Sequence, residues 1–234
     1  MSTALEIVGL TSGYGEAMVL RDLSLHVAAG EVLAVLGKNG MGKSTLLKTV
    51  MGFLPVRAGR VRILDQDSTG TPPHRLASRA VAYSPQDQAI FQDLTVEENL
   101  RLGLAPGVRF VQGLDRVAAF FPVLAQRRRQ RAGTLSGGEQ KMLIMARALL
   151  ARPRLLLIDE ISEGLQPSVI LHLADVLRTE QKSEGAAILL IEQNVRFALS
   201  VADRYAVLAR GEVVDAGRAV DADAAARIAD HLSV

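Results

Sequence analysis

A glycine-rich segment, GKNGMGKST at residues 37–45, has the spacing of a phosphate-binding loop. It follows the apolar run VLAVL and opens a helix-like segment, which is the context that the pattern G-x-x-x-x-G-K-[ST] requires. In such loops, backbone N–H groups and a helix N-terminus surround phosphate oxygens. We predict a triphosphate site in which Lys43 reaches the β- and γ-phosphates and the Ser44 hydroxyl binds Mg²⁺. The glycine spacing does not fit the dinucleotide pattern G-x-G-x-x-G.

A second candidate element is RLLLIDE at residues 154–160. Its apolar residues predict a buried strand that ends at Asp159, and ligands bind at the carboxyl ends of strands in doubly wound sheets. We expect Asp159 to hold Mg²⁺ through water and Glu160 to activate the attacking water. An apolar strand that ends in Asp-Glu also occurs where a strand merely runs into a turn. The phosphate loop upstream favours the catalytic interpretation.

The segment LSGGEQ, residues 135–140, stands before a strongly apolar helical run. Ser136, Gly137 and Gly138 provide a hydroxyl, close backbone approach and a helix N-terminus, all suited to a γ-phosphate. Taken alone, the segment is more typical of an ordinary N-cap serine. One phosphate loop covers only one side of a triphosphate, so a second donor set makes sense if it covers a nucleotide bound by another subunit.

Apolar runs of strand length alternate with helical segments along the chain. The strands that these runs predict must position the three motifs. Their content of Val, Leu and Ile predicts burial on both faces, as in the mainly parallel core sheet of an α/β fold. The five runs are residues 32–37, 80–84, 154–159, 187–192 and 205–209. Before and among them, residues 5–15 and 18–27 predict antiparallel strands, with 59–64 as a candidate third strand.

From Gln86 to the helix opened by Gly137 the apolar spacing is helical, and Thr95 and Glu98 have capping-box spacing. We predict one domain, 1–234. In it, 1–86 and 152–234 form the β subdomain and core, and 87–151 form a helical subdomain. A short terminal helix is predicted near the C-terminus. The arginine run at 127–131 is typical of a solvated face, with support of the LSGGEQ loop or contact with anionic lipid as alternatives.

The composition excludes several classes of protein. Lys and Arg total 27 against 25 Asp and Glu, and a net charge of +2 gives no support for nucleic-acid binding. There is no cysteine, which excludes disulfides and thiolate zinc sites. Neither a secretory signal nor an 18-residue apolar run is present. We expect a soluble, cytoplasmic protein whose link to any membrane goes through a partner.

The motifs GKNGMGKST, SPQ, LSGGEQ and LLLIDE, in this order, resemble those of the ATP-binding cassette (ABC) ATPases. The resemblance implies a P-loop NTPase fold with ATP and Mg²⁺ as ligands. In that family two cassettes close head to tail, and each signature loop completes the ATP site of the other. It therefore implies that the loop acts in trans through Leu135, Ser136, Gly137, Gly138 and Glu139.

Residue by residue, the resemblance assigns further roles. Tyr14 lies where such cassettes stack an aromatic ring on adenine, and Gln86 where a glutamine contacts Mg²⁺ and water. Residues 163–167 match the loop at the interface between cassettes. The expected Mg²⁺ residues are Ser44, Gln86 and Asp159. The expected ATP contacts are Tyr14, Gly37, Asn39, Gly40, Gly42, Lys43, Ser44, Thr45 and Gln86.

Two positions depart from the family pattern. Many cassettes have a γ-phosphate-binding histidine where this chain has Gln193, whose amide donates a hydrogen bond but does not titrate. We predict catalytic roles for Glu160 and Gln193, the latter as a neutral γ-phosphate sensor. Ile161 replaces a common proline, and we do not expect this change to abolish catalysis.

The segments DLTVEENL, RRRQRAGTLSGGEQ, SEGLQP and EQN narrow the resemblance to the second ATPase subunit of importers for branched-chain amino acids, or for urea and short amides. It implies membrane permease subunits and a sister ATPase subunit or second copy as partners, an indirect solute-binding protein, and a position on the inner face of the membrane. The alternatives are a soluble cassette ATPase in DNA repair or translation, a module that binds ATP without hydrolysing it, and an ordinary P-loop kinase.

Overall fold

The computed structural model describes residues 2–86 and 90–233. Ten strands occur in these residues. They are β1 (Thr3–Tyr14), β2 (Ala17–Ala28), β3 (Val32–Leu36), β4 (Val56–Ile63), β5 (Gln66–Asp67), β6 (Val81–Ser84), β7 (Leu155–Asp159), β8 (Ala187–Glu192), β9 (Arg204–Ala209) and β10 (Glu212–Arg218).

Nine α-helices occur in the same residues, together with a 3₁₀ turn at Ala132–Thr134. The helices are α1 (Lys43–Val50), α2 (Pro73–Ala77), α3 (Val96–Arg101), α4 (Phe110–Phe120), α5 (Pro122–Gln126), α6 (Gly137–Leu150), α7 (Pro167–Glu184), α8 (Val195–Val201) and α9 (Ala224–Ser233). None of the helices in the described residues has the length and apolar character that a membrane crossing requires.

The strands form two sheets. The core sheet has the order β10-β9-β3-β8-β7-β6, in which every pair is parallel except β9 with β10. The second sheet is antiparallel, with the order β2-β1-β4-β5. The predicted α/β fold with a parallel core and an N-terminal antiparallel sheet is confirmed.

Both faces of the core sheet are covered, which explains the continuous apolar runs. On β3, Val32, Ala34 and Leu36 pack on one face with the apolar side chains of the helices. Leu33 and Val35 point to the other face, into a cluster shared with α1 and the antiparallel sheet. Burial on both faces selects Val, Leu and Ile at every position of such a strand, so alternation is lost.

The segment between β6 and β7 is helical over α3 to α6, as the sequence predicts. Thr95 and Glu98 form the predicted capping box at the start of α3: Glu98 N–H donates to Thr95 Oγ1 at 3.2 Å, and Thr95 N–H donates to Glu98 Oε2 at 2.7 Å. The subdomain boundary that we set at residue 87 lies outside the described residues. The segments β5, α2 and β10 have no counterpart in our sequence interpretation.

Candidate functional site

The phosphate loop turns tightly between β3 and α1. Gly42 is the N-cap of α1 in the left-handed region, with φ +103°, and an added Cβ would lie 3.0 Å from Leu20 and 3.2 Å from Val19. At Gly37 an added Cβ would lie 2.5 Å from the Leu208 carbonyl oxygen. Glycine is therefore required at both positions, by conformation in the first case and by space in the second.

Lys43, the first residue of α1, is almost fully buried and faces a carboxylate. Its Nζ lies 2.9 Å from Glu160 Oε1 and donates to the Lys38 carbonyl at 3.0 Å. A buried lysine and a buried glutamate neutralise each other, which lowers the cost of burying either charge. The predicted phosphate-binding cation and the predicted catalytic carboxylate are thus in direct contact.

Glu160 has a strained backbone and several donors around its carboxylate. Its φ is +46°, an uncommon value for a residue with a side chain. Gln193 Nε2 donates to both carboxylate oxygens at 3.0 Å, and Gln86 Nε2 donates to Oε2 at 3.1 Å. Strain of this kind persists only where surrounding contacts hold it, and it is concentrated at functional sites.

Asp159, at the end of β7, lies beside Ser44. Ser44 Oγ donates to Asp159 Oδ1 at 3.2 Å, and Tyr83 OH donates to Oδ2 at 3.4 Å. Burial raises the pKa of Asp159, and the hydrogen bond from Ser44 opposes this shift. Burial beside Asp159 raises the pKa of Tyr83 well above its usual range, so the phenol stays protonated and can donate.

This donor set fits Mg²⁺. A buried carboxylate next to a hydroxyl supplies hard oxygen ligands, and Mg²⁺ takes few protein ligands because it keeps several waters and binds substrate phosphates. Among the described residues, no group of three or more His, Cys, Asp or Glu could hold a metal ion. The pair Ser44 and Asp159 therefore fits a metal site that is completed by a phosphate group better than a structural metal site whose ligands all come from the protein.

All of the predicted ATP contacts except Gly37 line one cavity of about 290 Å³. Its described lining is Tyr14, Val19, Asn39, Gly40, Gly42, Lys43, Ser44, Thr45, Gln86 and Glu160. Tyr14, at the end of β1, is 48% exposed, so its side chain is accessible from solvent. Asp159 contacts this lining through Ser44, and Gln193 contacts it through Asn39 and Glu160.

The LSGGEQ loop does not contribute to this cavity in its own chain: none of residues 135–139 is in the described lining. Ser136 caps α6 in a capping box, donating through N–H and Oγ to Glu139 Oε2, both at 2.9 Å. The hydrogen bond from the Ser136 backbone lowers the pKa of Glu139. An added Cβ at Gly137 would meet nothing within 4 Å, so the loop has an open face.

Arg127 is the one member of the predicted arginine run that pairs with this loop in the described residues. Its Nη1 lies 3.3 Å from Glu139 Oε1, and 47% of its side chain is exposed. The sequence pattern predicts a solvated face for the run. Arg127 remains half exposed while it also contacts the loop, so both interpretations apply to it.

Lys141 and Glu192 carry no individual role in our sequence interpretation, and Glu163 has one only as the first residue of the interface segment 163–167. Lys141, on α6, donates through Nζ to the carbonyl oxygens of Glu163 at 2.7 Å and Glu160 at 3.3 Å. The Glu163 carboxylate accepts from Gln86 Nε2 at 2.6 Å. Glu192, the last residue of β8, lies buried beneath the loop that follows Glu160.

Comparison with known proteins identifies the family. The family model described as ABC transporter matches residues 20–163, which is more than half of the chain and includes the phosphate loop, the LSGGEQ loop and Glu160. The chain belongs to the ABC transporter family. As an ABC ATPase, it binds and hydrolyses ATP.

Individual relatives align with this ABC ATPase along nearly its whole length. The high-affinity branched-chain amino acid transport ATP-binding protein BraG of Pseudomonas aeruginosa is 40% identical over 211 residues, covering 88% of this chain and 90% of BraG. The probable branched-chain amino acid transport ATP-binding protein LivF of Archaeoglobus fulgidus is 38% identical over 218 residues, covering 92% of each.

A solved structure shares the fold. The ADP conformation of MJ1267, an ATP-binding cassette of an ABC transporter, matches this ABC ATPase with a TM-score of 0.83 and 26% sequence identity. The match covers 100% of this chain and 96% of MJ1267. The family resemblance expected from the four motifs is therefore confirmed, while the roles of individual residues remain predictions.

Proposed function

We propose that this ABC ATPase is the ATP-hydrolysing subunit of an importer for branched-chain amino acids. The observation that carries this proposal is the near full-length identity of 38–40% to two proteins named for branched-chain amino acid transport. The same role in an importer of urea or short amides is the nearest alternative. Both place the chain on the inner face of the membrane, attached through permease subunits.

Hydrolysis needs the Lys43 ammonium and the Glu160 carboxylate in different roles. We propose that Lys43 turns from Glu160 Oε1, 2.9 Å away, towards the β- and γ-phosphates of ATP. Glu160 is then free to accept a proton from the attacking water. Gln193 keeps Glu160 oriented through its amide. Catalysis of phosphoryl transfer depends mainly on such positioning and on charge neutralisation.

Ser44, Asp159 and Gln86 would hold Mg²⁺. When bound, the metal would supply positive charge that offsets the negative charge of the phosphates. Ser44 provides a hydroxyl in contact with Asp159, and burial of Asp159 makes its carboxylate a group that gains from a cationic partner. Gln86 contacts both Glu160 and Glu163, so its position can respond to a change at either residue.

Two chains are needed for a complete site in this proposal. The 290 Å³ cavity is bounded by the phosphate loop, while the capped Ser136 loop of the same chain lies outside its described lining. Ser136, Gly137 and Gly138 would cover the γ-phosphate bound by a companion, either a sister ATPase subunit or a second copy. ATP binding would then close the pair, and hydrolysis would release it.

A groove beside the helical segment is suited to the permease. It has a volume of about 540 Å³, and much of its lining is apolar. Three large hydrophobic side chains on it are more than half exposed: Phe53 at 55%, Phe91 at 53% and Leu102 at 57%. Exposed apolar clusters of this kind mark protein interfaces. We propose that an amphipathic segment of a permease subunit lies there, next to the loop that carries Gln86.

The role of Glu160 is tested with the variant Glu160→Gln. We expect hydrolysis to fall by about 100-fold or more, since general bases contribute about 10²–10⁴-fold, while ATP binding persists and a closed dimer accumulates. Asp175→Asn is the matched control, because it makes the same acid-to-amide change at an exposed position of α7. Phosphate release and size-exclusion chromatography with ATP report the two effects. Wild-type hydrolysis by Glu160→Gln would remove this residue from its role.

The cargo is tested by uptake. Cells lacking the gene should lose uptake of labelled leucine and valine at low external concentration, and the wild-type gene but not the Glu160→Gln gene should restore it. Normal amino-acid uptake together with lost urea uptake would select the alternative. If the chain instead copurified with ribosomes or nucleic acid and no permease, a soluble cassette ATPase would replace the importer.

A further inference from the structure

Glu192 is a buried acid at the base of the loops that carry Glu160 and Gln193. It ends β8, the strand next to the one that ends in Asp159, and its relative exposure is 1%. In the described part of the chain, no lysine, arginine or histidine forms an ion pair with it within 4.0 Å. A buried carboxylate without a cation is retained only where hydrogen bonds compensate its burial.

The Glu192 carboxylate accepts three hydrogen bonds from two different loops. Ser162 N–H donates to Oε1 at 3.0 Å, and Ser162 Oγ donates to Oε2 at 2.7 Å. Gln193 N–H donates to Oε2 at 3.3 Å. Ser162 is itself 95% buried, so water does not compete freely for these bonds. One side chain thus connects the loop after β7 with the loop after β8.

These two loops carry the side chains that meet at the γ-phosphate end of the site. Ser162 is two residues after Glu160, which has a left-handed backbone conformation that contacts with neighbouring residues must stabilise. One such contact is the hydrogen bond from Glu160 N–H to the Ile191 carbonyl at 3.0 Å. Gln193 follows Glu192 directly and donates to both oxygens of Glu160. A shift of either loop by a fraction of an ångström would misalign this pair.

We propose that Glu192 is a positioning residue for ATP hydrolysis, which fixes the loops of Glu160 and Gln193 relative to each other through Ser162. The proposal rests on the catalytic role proposed for Glu160. Glu192 touches neither substrate nor the reacting atoms; it acts through the two loops.

An amide cannot replace this carboxylate. The two backbone N–H groups, of Ser162 and Gln193, donate to different oxygens of Glu192. A glutamine at 192 has one acceptor oxygen and one NH₂ group, so in either orientation one backbone N–H faces another donor. Only the Ser162 hydroxyl can rotate to accept instead of donating. The side chain introduced by Glu192→Gln therefore has nearly the same shape as the glutamate, but it loses the hydrogen bond to the backbone of one of the two loops.

The test measures hydrolysis, ATP binding and thermal stability in the same samples. Glu192→Gln should lower kcat at least tenfold, about 1.4 kcal/mol in the activation barrier, with the Kd for ATP within threefold of wild type. The Tm should change by only a few degrees, because removal of a buried charge offsets the backbone N–H that is left without an acceptor. Ser162→Ala, which deletes one of the three bonds, should give a smaller loss of kcat. The double variant should be no slower than Glu192→Gln, because the second substitution acts through the same contact.

Two results would overturn the proposal. One is wild-type kcat in Glu192→Gln. The other is a loss of kcat that comes with a matching loss of ATP affinity and a lower Tm, which a purely structural role would produce. If Glu192→Gln does not fold, Ser162→Ala with wild-type kcat also overturns it. Glu160→Gln in the same series separates the catalytic role of Glu160 from the positioning role of Glu192. If Glu160→Gln is active, the proposed role of Glu160 is contradicted. If Glu160→Gln is inactive and Glu192→Gln is fully active, only the positioning role is contradicted.

Discussion

Gln193 donates through one amide nitrogen to both carboxylate oxygens of Glu160, at 3.0 Å each, and the same nitrogen donates to Asn39 Oδ1. This nitrogen therefore connects the phosphate loop with the proposed general base. The contact needs a donor but no charge, which explains how a glutamine can stand where many cassettes have a histidine.

Two substitutions of Gln193 distinguish the effect of its hydrogen-bond donor from the effect of a charge at this position. Gln193→Ala should lower kcat about tenfold or more, because Glu160 loses a positioning donor and the γ-phosphate loses a contact. Gln193→His should restore part of the rate and introduce a pH limb near the imidazole pKa of about 6.5. The measurement is kcat from pH 5.5 to 8.5. Steady-state hydrolysis unchanged in Gln193→Ala contradicts the sensor role.

Lys141 connects the helix of the LSGGEQ loop with the catalytic loop of the same chain. Its ammonium donates to the carbonyl oxygens of Glu160 and of Glu163, the first residue of the interface segment 163–167. Lys141→Met keeps the aliphatic stem but removes these donors, so kcat should fall about tenfold while ATP affinity stays unchanged. Lys182→Met, an exposed lysine on α7, is the control. Equal rates for both variants would show that the carbonyl contacts have no effect on hydrolysis.

Arg116 connects α4 with α7. Its guanidinium pairs with Glu180, whose side chain is fully buried, and with Glu184 at 2.8 Å. Burial raises the pKa of Glu180, and the charge of Arg116 opposes this shift. Removal of one partner from a buried pair leaves the other charge uncompensated, which costs about 3–5 kcal/mol.

Arg116→Met should therefore destabilise the chain by about 3 kcal/mol near neutral pH. In the variant the folded-state pKa of Glu180 rises further. The charged Glu180 carboxylate destabilises the folded variant at pH values above the unfolded-state pKa of glutamate. This destabilisation disappears as the pH falls and the buried carboxyl takes up a proton. The destabilisation relative to wild type should thus be smaller at pH 5.5 than at pH 7.5 in urea unfolding. Arg62→Met, which breaks an exposed pair with Glu6, should cost less than about 1 kcal/mol. A pH-independent loss in Arg116→Met contradicts this assignment.

Local patterns made the core of the fold predictable. A run such as LLLID is apolar at consecutive positions because β7 is buried on both faces, and the phosphate loop has fixed spacing around Gly42 and Lys43. The strand β10 alternates between exposed and half-buried residues and lies at the sheet edge, so its apolar content is too low to separate it from a loop.

The supporting contacts of the site could not be predicted in the same way. Glu192 meets Ser162 across 30 residues and Lys141 meets Glu163 across 22, so these pairs exist only once β7, β8 and α6 have packed. A sequence shows that a carboxylate or a lysine is present. It does not show which carbonyl or N–H group lies within 3 Å.

The central claim is that each ATP site is completed by a second chain. Its most direct test is hydrolysis by Ser136→Asp, which keeps an N-cap acceptor for the Glu139 N–H, loses the Oγ donor to Glu139 Oε2, and directs a negative charge at a companion's γ-phosphate. Ser136→Thr, which keeps the hydroxyl, is the control. We predict that Ser136→Asp remains folded at the assay temperature and binds ATP with wild-type affinity, yet loses hydrolysis about 100-fold or more under conditions where wild type associates and turns over. A sample of Ser136→Asp that is monomeric by ultracentrifugation at every concentration, and hydrolyses ATP at the wild-type rate, would contradict the account.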